Sequence, residues 1–166
     1  DGKAYIGGDF TVVNGGFIPR IARLNFDGTL DQSFNPGQGA NSNVWAIDIR
    51  ADGAVLMGGD FGTVGGLLRS GVAFLTTNGT IDPGFAPVGV FNGSVFDVDN
   101  VGDGRVLVAG NFTQLGTNAV GGVVRLNTNG AIDGSFATTN AGANGVVYAV
   151  RQLSNDQVLV AGDFTV

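Results

Sequence analysis

The feature that most constrains the fold is a four-residue motif that returns at nearly constant intervals. The stretch "GGDF" at Gly7 to Phe10 is followed by the copies "GGDF", "AGNF" and "AGDF". Spacings of 51, 51 and 52 residues separate the aromatic ends of the four copies, which are Phe10, Phe61, Phe112 and Phe164. A fixed period of this length is typical of repeat architectures, in which each repeat is one structural unit. The sequence therefore predicts one repeat array over residues 1–166.

Each period contains the signals of four β-strands, labelled A to D. In the middle copy strand A is "VWAIDI", strand B is "AVLMGGDF", strand C is "SGVAFLT" and strand D is "TIDPGF". Asp52-Gly53 and Asn78-Gly79 lie in the A–B and C–D connections, where these residue types favour tight hairpin turns. Strand B is a nearly continuous apolar run, which indicates burial on both faces. The pattern predicts an all-β chain of four-stranded antiparallel sheets that stack on one another radially.

The motif block also carries a family resemblance. "GGDF", then "RIARLNFDGTLDQSF" at Arg20 to Phe34, then an aromatic strand, resembles the bacterial delta-60 repeat over nearly the whole chain. The resemblance implies a β-propeller-like fold with blades of about 51 residues. It also implies large secreted or cell-surface bacterial proteins, mostly without an assigned activity, and it transfers no catalytic residue to this chain.

The strand pattern places the repeat boundaries at 1–43 (strands B to D), 44–94, 95–145 and 146–166 (strands A and B). There are therefore about three repeats, with incomplete blades at both ends. Three blades are too few for a closed propeller, which usually has about 4 to 8. Either the C-terminal hairpin completes the first blade, or further repeats of a longer parent chain complete the ring, which is the favoured interpretation. The alternative is that neighbouring copies complete the blades in a homo-oligomeric ring or filament.

Composition excludes many common chemistries. The chain has no Cys, no His and no Glu, so thiolate and imidazole metal sites and Ser-His-Asp or Cys-His nucleophile systems are absent. A cyclase interpretation of "GGDF" also requires a Glu. The sequence predicts no cofactor, no metal and no enzyme activity. The formal net charge of −6 argues against nucleic acid as a partner, and the short, broken apolar runs argue against membrane insertion.

Most of the 14 aspartates recur at equivalent repeat positions, which favours a role in folding rather than in one active site. Asp48, Asp97 and Asp99 in strand A do not fit this pattern as closely, and Asp99 is expected to approach Arg151 of the next repeat. A carboxylate pair for glycan degradation is the alternative interpretation. A calcium loop at Asp97 to Gly104 is disfavoured, since Val occupies two ligand positions.

The remaining candidates lie in loops and at the start of strand A. Arg20 and Arg69 occupy non-equivalent places in the B–C loops, and with Asp97 and Asp99 they are the candidate ligand contacts. An aromatic residue begins strand A in each of three successive repeats. Such residues could form a platform for a sugar, but the favoured interpretation is that they pack in the core. They are Trp45, Phe96 and Tyr148.

These observations favour a non-enzymatic structural or binding module that acts as a scaffold or adhesive surface in a secreted or cell-surface bacterial protein. Its expected partners are another protein or a glycan surface, contacted through the variable B–C and D–A loops. Two alternatives stay open. One is a self-assembling subunit whose incomplete blades are completed by neighbouring chains, and the other is a fragment of an Asp-based glycan-degrading enzyme.

Overall fold

The computed structural model describes residues 2–136 and 142–165, and every regular element within them is a β-strand. The first repeat contains β1 (Ala4–Gly7), β2 (Val12–Val13), β3 (Gly16–Phe17) and β4 (Ile21–Leu24). The second contains β5 (Val44–Ile49), β6 (Val55–Gly59), β7 (Thr63–Val64), β8 (Leu67–Leu68) and β9 (Val72–Leu75). The third contains β10 (Val95–Asn100), β11 (Val106–Gly110), β12 (Gln114–Leu115), β13 (Asn118–Ala119) and β14 (Val123–Leu126). The fourth contains β15 (Val146–Gln152) and β16 (Val158–Asp163).

Strands A, B and C form the antiparallel sheets that the sequence predicts. The two interior repeats each have a three-stranded sheet, in the orders β5-β6-β9 and β10-β11-β14. The outer repeats have two-stranded sheets, β1-β4 and β15-β16, so both end sheets are smaller than the interior ones. Among the described residues, no helix is long and apolar enough to cross a membrane.

The predicted fourth strand differs from the structure. Strand D is reduced to one isolated bridge per repeat, such as Leu75 to Ile81 in the second repeat. The cause is an aspartate that follows each bridge: the Asp82 carboxylate accepts the backbone N–H of Gly84 at 2.8 Å. This side-chain turn draws the backbone away from the sheet edge. Asp31 and Asp133 make the same turn in the first and third repeats.

Short hairpins in the B–C connections were not predicted from the sequence. They are the two-residue ladders β2-β3, β7-β8 and β12-β13, which follow the end of each complete strand B. Backbone bridges join the D–A segment of one repeat to the hairpin of the next, at Ala40 to Val64 and at Phe91 to Leu115. We call this side of the array the hairpin end. The opposite side, with the A–B and C–D turns, is the turn end.

Strand B of each interior repeat is buried on both faces because a neighbouring sheet packs on each side. Leu56 packs in a cluster with Val98 and Val106 of the following repeat, whereas Met57 packs with Ile21 of the preceding one. Both side chains are fully buried. Burial of a side chain of this size stabilises the fold by about 1.5–3 kcal/mol. The apolar core is therefore a series of interfaces between successive repeats.

The repeated aromatic of the opening motif is buried in the two interior repeats. Phe61 and Phe112 are both almost completely inaccessible, and Phe112 packs against Phe91 with 4.6 Å between the ring centroids. Phe10 and Phe164, in the two outer repeats, are only half-buried. The difference follows from the end sheets, which have fewer packing neighbours than the interior sheets.

The second glycine of the motif is required by a close backbone approach. A methyl group on Gly59 would overlap the carbonyl oxygen of Asn43, and one on Gly110 would overlap the carbonyl oxygen of Ser94. Each carbonyl belongs to the residue immediately before strand A of the same repeat. The small residues at the end of strand B therefore permit the close approach of the backbone before strand A.

We expect Gly59→Ala to lower the free energy of unfolding by about 1–3 kcal/mol, because the added methyl must displace the Asn43 backbone. Gly102→Ala is the matched control, since an added methyl there meets no atom within 4 Å. The control is expected to change stability by less than about 0.5 kcal/mol. Urea denaturation followed by circular dichroism compares the two variants. Equal stabilities would contradict the proposed steric role of Gly59.

Candidate functional site

Asp99, one of the candidate ligand contacts, is a structural link between the third and fourth repeats. Asp99 is only 3% exposed to solvent. One carboxylate oxygen accepts a hydrogen bond from Arg151 Nη1 at 2.7 Å, and the other accepts the backbone N–H of Gln152 at 2.7 Å. The expected proximity of Asp99 and Arg151 is therefore observed. Both carboxylate oxygens are engaged by the next repeat.

Asp97 lies two residues earlier in β10 and reaches the same neighbouring strand. Its Oδ1 accepts the backbone N–H of Val98 at 3.0 Å, and its Oδ2 accepts that of Val150 at 2.8 Å. Burial raises the pKa of the Asp97 carboxyl, and these two N–H groups oppose that effect only in part. A half-buried carboxylate that accepts two backbone hydrogen bonds is held in place, which suits cohesion between repeats.

Asp48 makes the equivalent link from the second repeat to the third. Its Oδ2 accepts hydrogen bonds from the backbone N–H and the side-chain Nδ2 of Asn100, at 2.7 and 2.9 Å. We call the three links Asp48 to Asn100, Asp97 to Val150 and Asp99 to Gln152 the strand-A clasp. The sequence contained a signal for it, because Asp48 and Asp99 occupy the same repeat position.

Arg20 and Arg69 are not brought together with these acids. Arg20 follows the first hairpin with a positive φ of 68°, and its Nη1 donates to the carbonyl of Ala40 at 3.4 Å. Its Nε lies 3.8 Å from the Asp9 carboxylate. Arg69 follows the second hairpin and donates to the carbonyl of Leu68 at 2.7 Å. Both guanidinium groups belong to the hairpin end, away from the strand-A clasp.

A second group of acids forms ion pairs at strand D. Asp133 accepts hydrogen bonds from the Ser135 hydroxyl, from Arg105 Nη1 at 2.9 Å and from Arg125 Nε at 2.7 Å. These partners, with Ser135 contributing most, hold the pKa of Asp133 well below its usual range. Asp31 has a similarly lowered pKa because Lys3, Ser33 and Arg23 donate to it. Asp31 and Asp133 thus act as fixed anions within the fold.

A cleft of about 370 Å³ lies at the turn end between the third and fourth repeats, beside Asp99 and Asp103. Two amide oxygens in it, Asn100 Oδ1 and Gln152 Oε1, are buried without a hydrogen-bond partner. Within residues 2–136 and 142–165, however, no three acidic side chains come together in a way that could hold a metal ion. In the described part of the chain the cleft therefore has no metal centre, and its two unpartnered amide oxygens are buried rather than exposed to a ligand.

The aromatic residues at the start of strand A are more exposed than the sequence indicated. Trp45 is 49% exposed and Tyr148 is 57% exposed, so the expectation of core packing is wrong for these two residues. The cause is a shift in the A–B pairing, which skips Trp45 between Val44 and Ala46. A bulge of this kind leaves one residue unpaired and re-aims its side chain. Equivalent shifts occur at Phe96 and Tyr148.

The bulge residues are held by specific contacts. Trp45 Nε1 donates a hydrogen bond to Asp60 Oδ2 at 2.8 Å. The rings of Phe96 and Tyr148 lie with centroids 5.7 Å apart and planes inclined by 31°. The aspartate before Phe61 therefore accepts a side-chain donor from strand A of the same repeat. Strand A therefore presents ordered aromatic rings next to the hairpin end.

Other exposed apolar side chains occur on the same side of the array. They lie in the hairpins and in the D–A segments, and they include Val12, Phe17, Leu67, Leu68, Val88 and Val90. The loops themselves are anchored: Asn41 Oδ1 accepts the backbone N–H groups of Gly62 and Thr63. Asn92 makes the equivalent bonds in the next repeat. Sequence reasoning missed these anchors, although their spacing of 51 residues matches the repeat.

The family comparison agrees with this architecture. The profile of a family described as "Domain of unknown function (DUF5122) beta-propeller" matches residues 1–34, 50–85 and 102–136, which together are more than half of the chain. The chain belongs to the DUF5122 β-propeller family. Each matched segment runs from strand B, or the turn before it, to the aromatic that follows strand D. The predicted β-propeller-like repeat is thereby confirmed, in keeping with the resemblance to the delta-60 repeat. No curated protein matches this DUF5122 chain.

Because the pKa of Asp133 is lowered in the folded protein, the free energy of unfolding should depend on pH. An unfolded Asp has a pKa of about 3.9, so the ionised carboxylate stabilises the fold above that pH. This stabilisation is lost as the pH falls towards the lower folded-state pKa. We expect the free energy of unfolding to decrease below about pH 4, and to decrease less steeply in Asp133→Asn.

Carbon-13 NMR of the Asp133 carboxyl group gives its titration midpoint directly. Ser135→Ala is the matched variant, because it removes the hydroxyl donor and keeps both arginines. The midpoint should rise in this variant. A midpoint near about 3.9 in the unaltered protein would contradict the assignment of Asp133 as a stabilised anion.

Proposed function

We propose that this chain is a non-enzymatic binding module, in which the stacked sheets are a scaffold and the hairpin end is the recognition surface. The observation that carries the proposal is the distribution of exposed apolar side chains, of which Phe17 and Leu68 in the hairpins are the most accessible at that end. Exposed apolar groups on an otherwise well-packed protein mark interaction sites. Loops held by a rigid scaffold are the usual position for such sites.

The contacts of the candidate acids support a non-enzymatic role. A general acid or nucleophile needs a carboxylate that can reach a substrate. Asp99 is buried and paired with Arg151, and the oxygens of Asp97 accept backbone N–H groups. The carboxylate oxygens of both residues therefore hold successive repeats together, which argues against the hypothesis that they catalyse glycan degradation.

The expected setting is a secreted or cell-surface bacterial protein, as the resemblance to the delta-60 repeat implies. The expected partner is another protein or a glycan. The net charge of −6 disfavours nucleic acid, whose phosphates require basic contacts. The Asn, Thr and Gly residues of the loops suit contacts through neutral hydrogen bonds.

The test is binding to immobilised probes, namely an array of neutral and acidic glycans and the proteins fibronectin and collagen. Leu67→Ser with Leu68→Ser alters the exposed hairpin β7-β8, and Phe26→Ser with Leu153→Ser alters exposed residues at the turn end as the control. We expect binding to at least one probe, weakened only by the hairpin variant. Absence of binding to every probe, or weakening only in the control, would contradict the proposal. Release of reducing ends from the glycans would reject its non-enzymatic part.

Self-assembly is a second candidate function, and one observation favours it. Leu159 in β16 is 59% exposed, whereas the equivalent Leu56 and Leu107 are fully buried against the next repeat. At the other end of the array, Ile6 and Leu24 are half-buried where the equivalent Met57 and Leu75 are fully buried. Head-to-tail stacking of copies would cover both faces and continue the interior packing.

Light scattering over a dilution series tests this second candidate. The unaltered chain should form concentration-dependent oligomers. Leu159→Glu should shift them to monomer, because a charge would be buried in the new interface. Leu153→Glu, at an exposed site in the same repeat, should leave the oligomers unchanged. A monomer at all concentrations of the unaltered chain would reject self-assembly and leave the binding-module proposal intact.

A further inference from the structure

Three bulge residues form what we call the aromatic row: Trp45, Phe96 and Tyr148. Each is skipped by the pairing of strands A and B in its own repeat, so each projects at the same place in its blade. The exposure of Trp45 does not come from an end of the array, because its sheet packs against repeats on both sides. At the same position in the other interior repeat, Phe96 is half-buried.

The row is ordered before any ligand binds. The indole of Trp45 is fixed by its hydrogen bond to Asp60, and the Phe96 and Tyr148 rings support one another at 5.7 Å. Rigid aromatic groups supply contact area at a low cost in conformational entropy. Preorganisation of this kind favours binding, because less freedom is lost in the complex.

We propose that the aromatic row binds a neutral oligosaccharide, with the C–H faces of successive sugar units packed on the rings and sugar hydroxyls donating to Asp60. This inference rests on the proposed binding function and names the ligand class and its site. The flat, half-exposed rings provide apolar faces with a polar acceptor beside them, a combination that suits a ligand with both C–H faces and hydroxyl donors.

A peptide is a less suitable ligand for the aromatic row than an oligosaccharide. Peptides that extend a sheet need unpaired backbone groups, but the N–H groups of Asp60 and Asn111 beside the row are already donated to Asn43 and Ser94. These two N–H groups are therefore not available to an added strand. An acidic sugar is disfavoured because the hydrogen-bond partner of the Trp45 indole is a carboxylate and the chain carries a net charge of −6.

Fluorescence titration provides a direct test, since Trp45 is the only tryptophan in the chain. The probes are the neutral hexasaccharides of cellulose, laminarin, xylan, mannan and amylose, with hexagalacturonate as the acidic comparison. Proline-rich and lysine-rich peptides test the competing ligand classes. At least one neutral hexasaccharide should give a saturable blue shift of the emission, and hexagalacturonate should bind more weakly.

Calorimetry with the best hexasaccharide compares the variants. Trp45→Ala should weaken binding about tenfold or more, and Tyr148→Ala about threefold to tenfold. Phe26→Ala is the control: Phe26 is 89% exposed but lies in a C–D turn, so its loss should not change the affinity. Circular dichroism checks that each variant is folded, and the Tyr148 variant keeps the test valid if the Trp45 variant does not fold.

The possible failures can be told apart. Unchanged sugar affinity in folded Trp45→Ala and Tyr148→Ala would overturn the aromatic row as the site. If the hairpin variant Leu67→Ser with Leu68→Ser still lost probe binding, the recognition function of the hairpin end would stand. Binding of a peptide with no binding of any neutral hexasaccharide would overturn the ligand class. Equal affinity for hexagalacturonate would overturn the preference for a neutral sugar.

Discussion

The packing of strand B between two neighbouring sheets is the constraint on which the rest of this structure depends. The interior strands β6 and β11 are buried on both faces, and this burial sets how closely successive repeats approach. The close approach explains the small residues at the end of each interior strand B, where the backbone before strand A passes against Gly59 or Gly110. It also explains why the period of the sequence tolerates so little variation, since an insertion in a strand would displace every contact of its sheet.

In this chain, hydrogen bonds to carboxylates join parts of the fold that no backbone pairing connects. The strand-A clasp joins one repeat to the next where the sheets share no ladder, and the acids of strand D hold the arginines that cover the aromatic Phe34 and Phe136. At Asp31 and Asp133 these hydrogen bonds lower the pKa of the carboxyl, so both acids stay ionised. The recurrent aspartates therefore stabilise the fold, whereas the sequences of the hairpins and D–A segments differ between repeats.

Strands A to C and the buried phenylalanines were predictable because their signals are periodic and tied to burial. The reduction of strand D was not, since "TIDPGF" has the residue pattern of a strand, and the decisive event is a hydrogen bond that the Asp82 carboxylate accepts from the Gly84 backbone N–H. The exposure of Trp45 was missed for a similar reason: a bulge moves one residue out of the alternation on which such predictions rest. The link between Asp99 and Arg151 was predictable from repeat equivalence, but the backbone donors that complete the clasp have no sequence signature.

The strand-A clasp gives the array a direction. In the second and third repeats strand A contributes acceptors towards the following repeat, while in the third and fourth it contributes backbone N–H donors towards the preceding one. A duplicated repeat inserted into the array would therefore meet compatible groups on both sides, provided that it keeps one acid in strand A. A protein built in this way can gain length by tandem duplication with little change in the contacts between repeats. The loops of each new copy can then change in sequence without loss of those contacts.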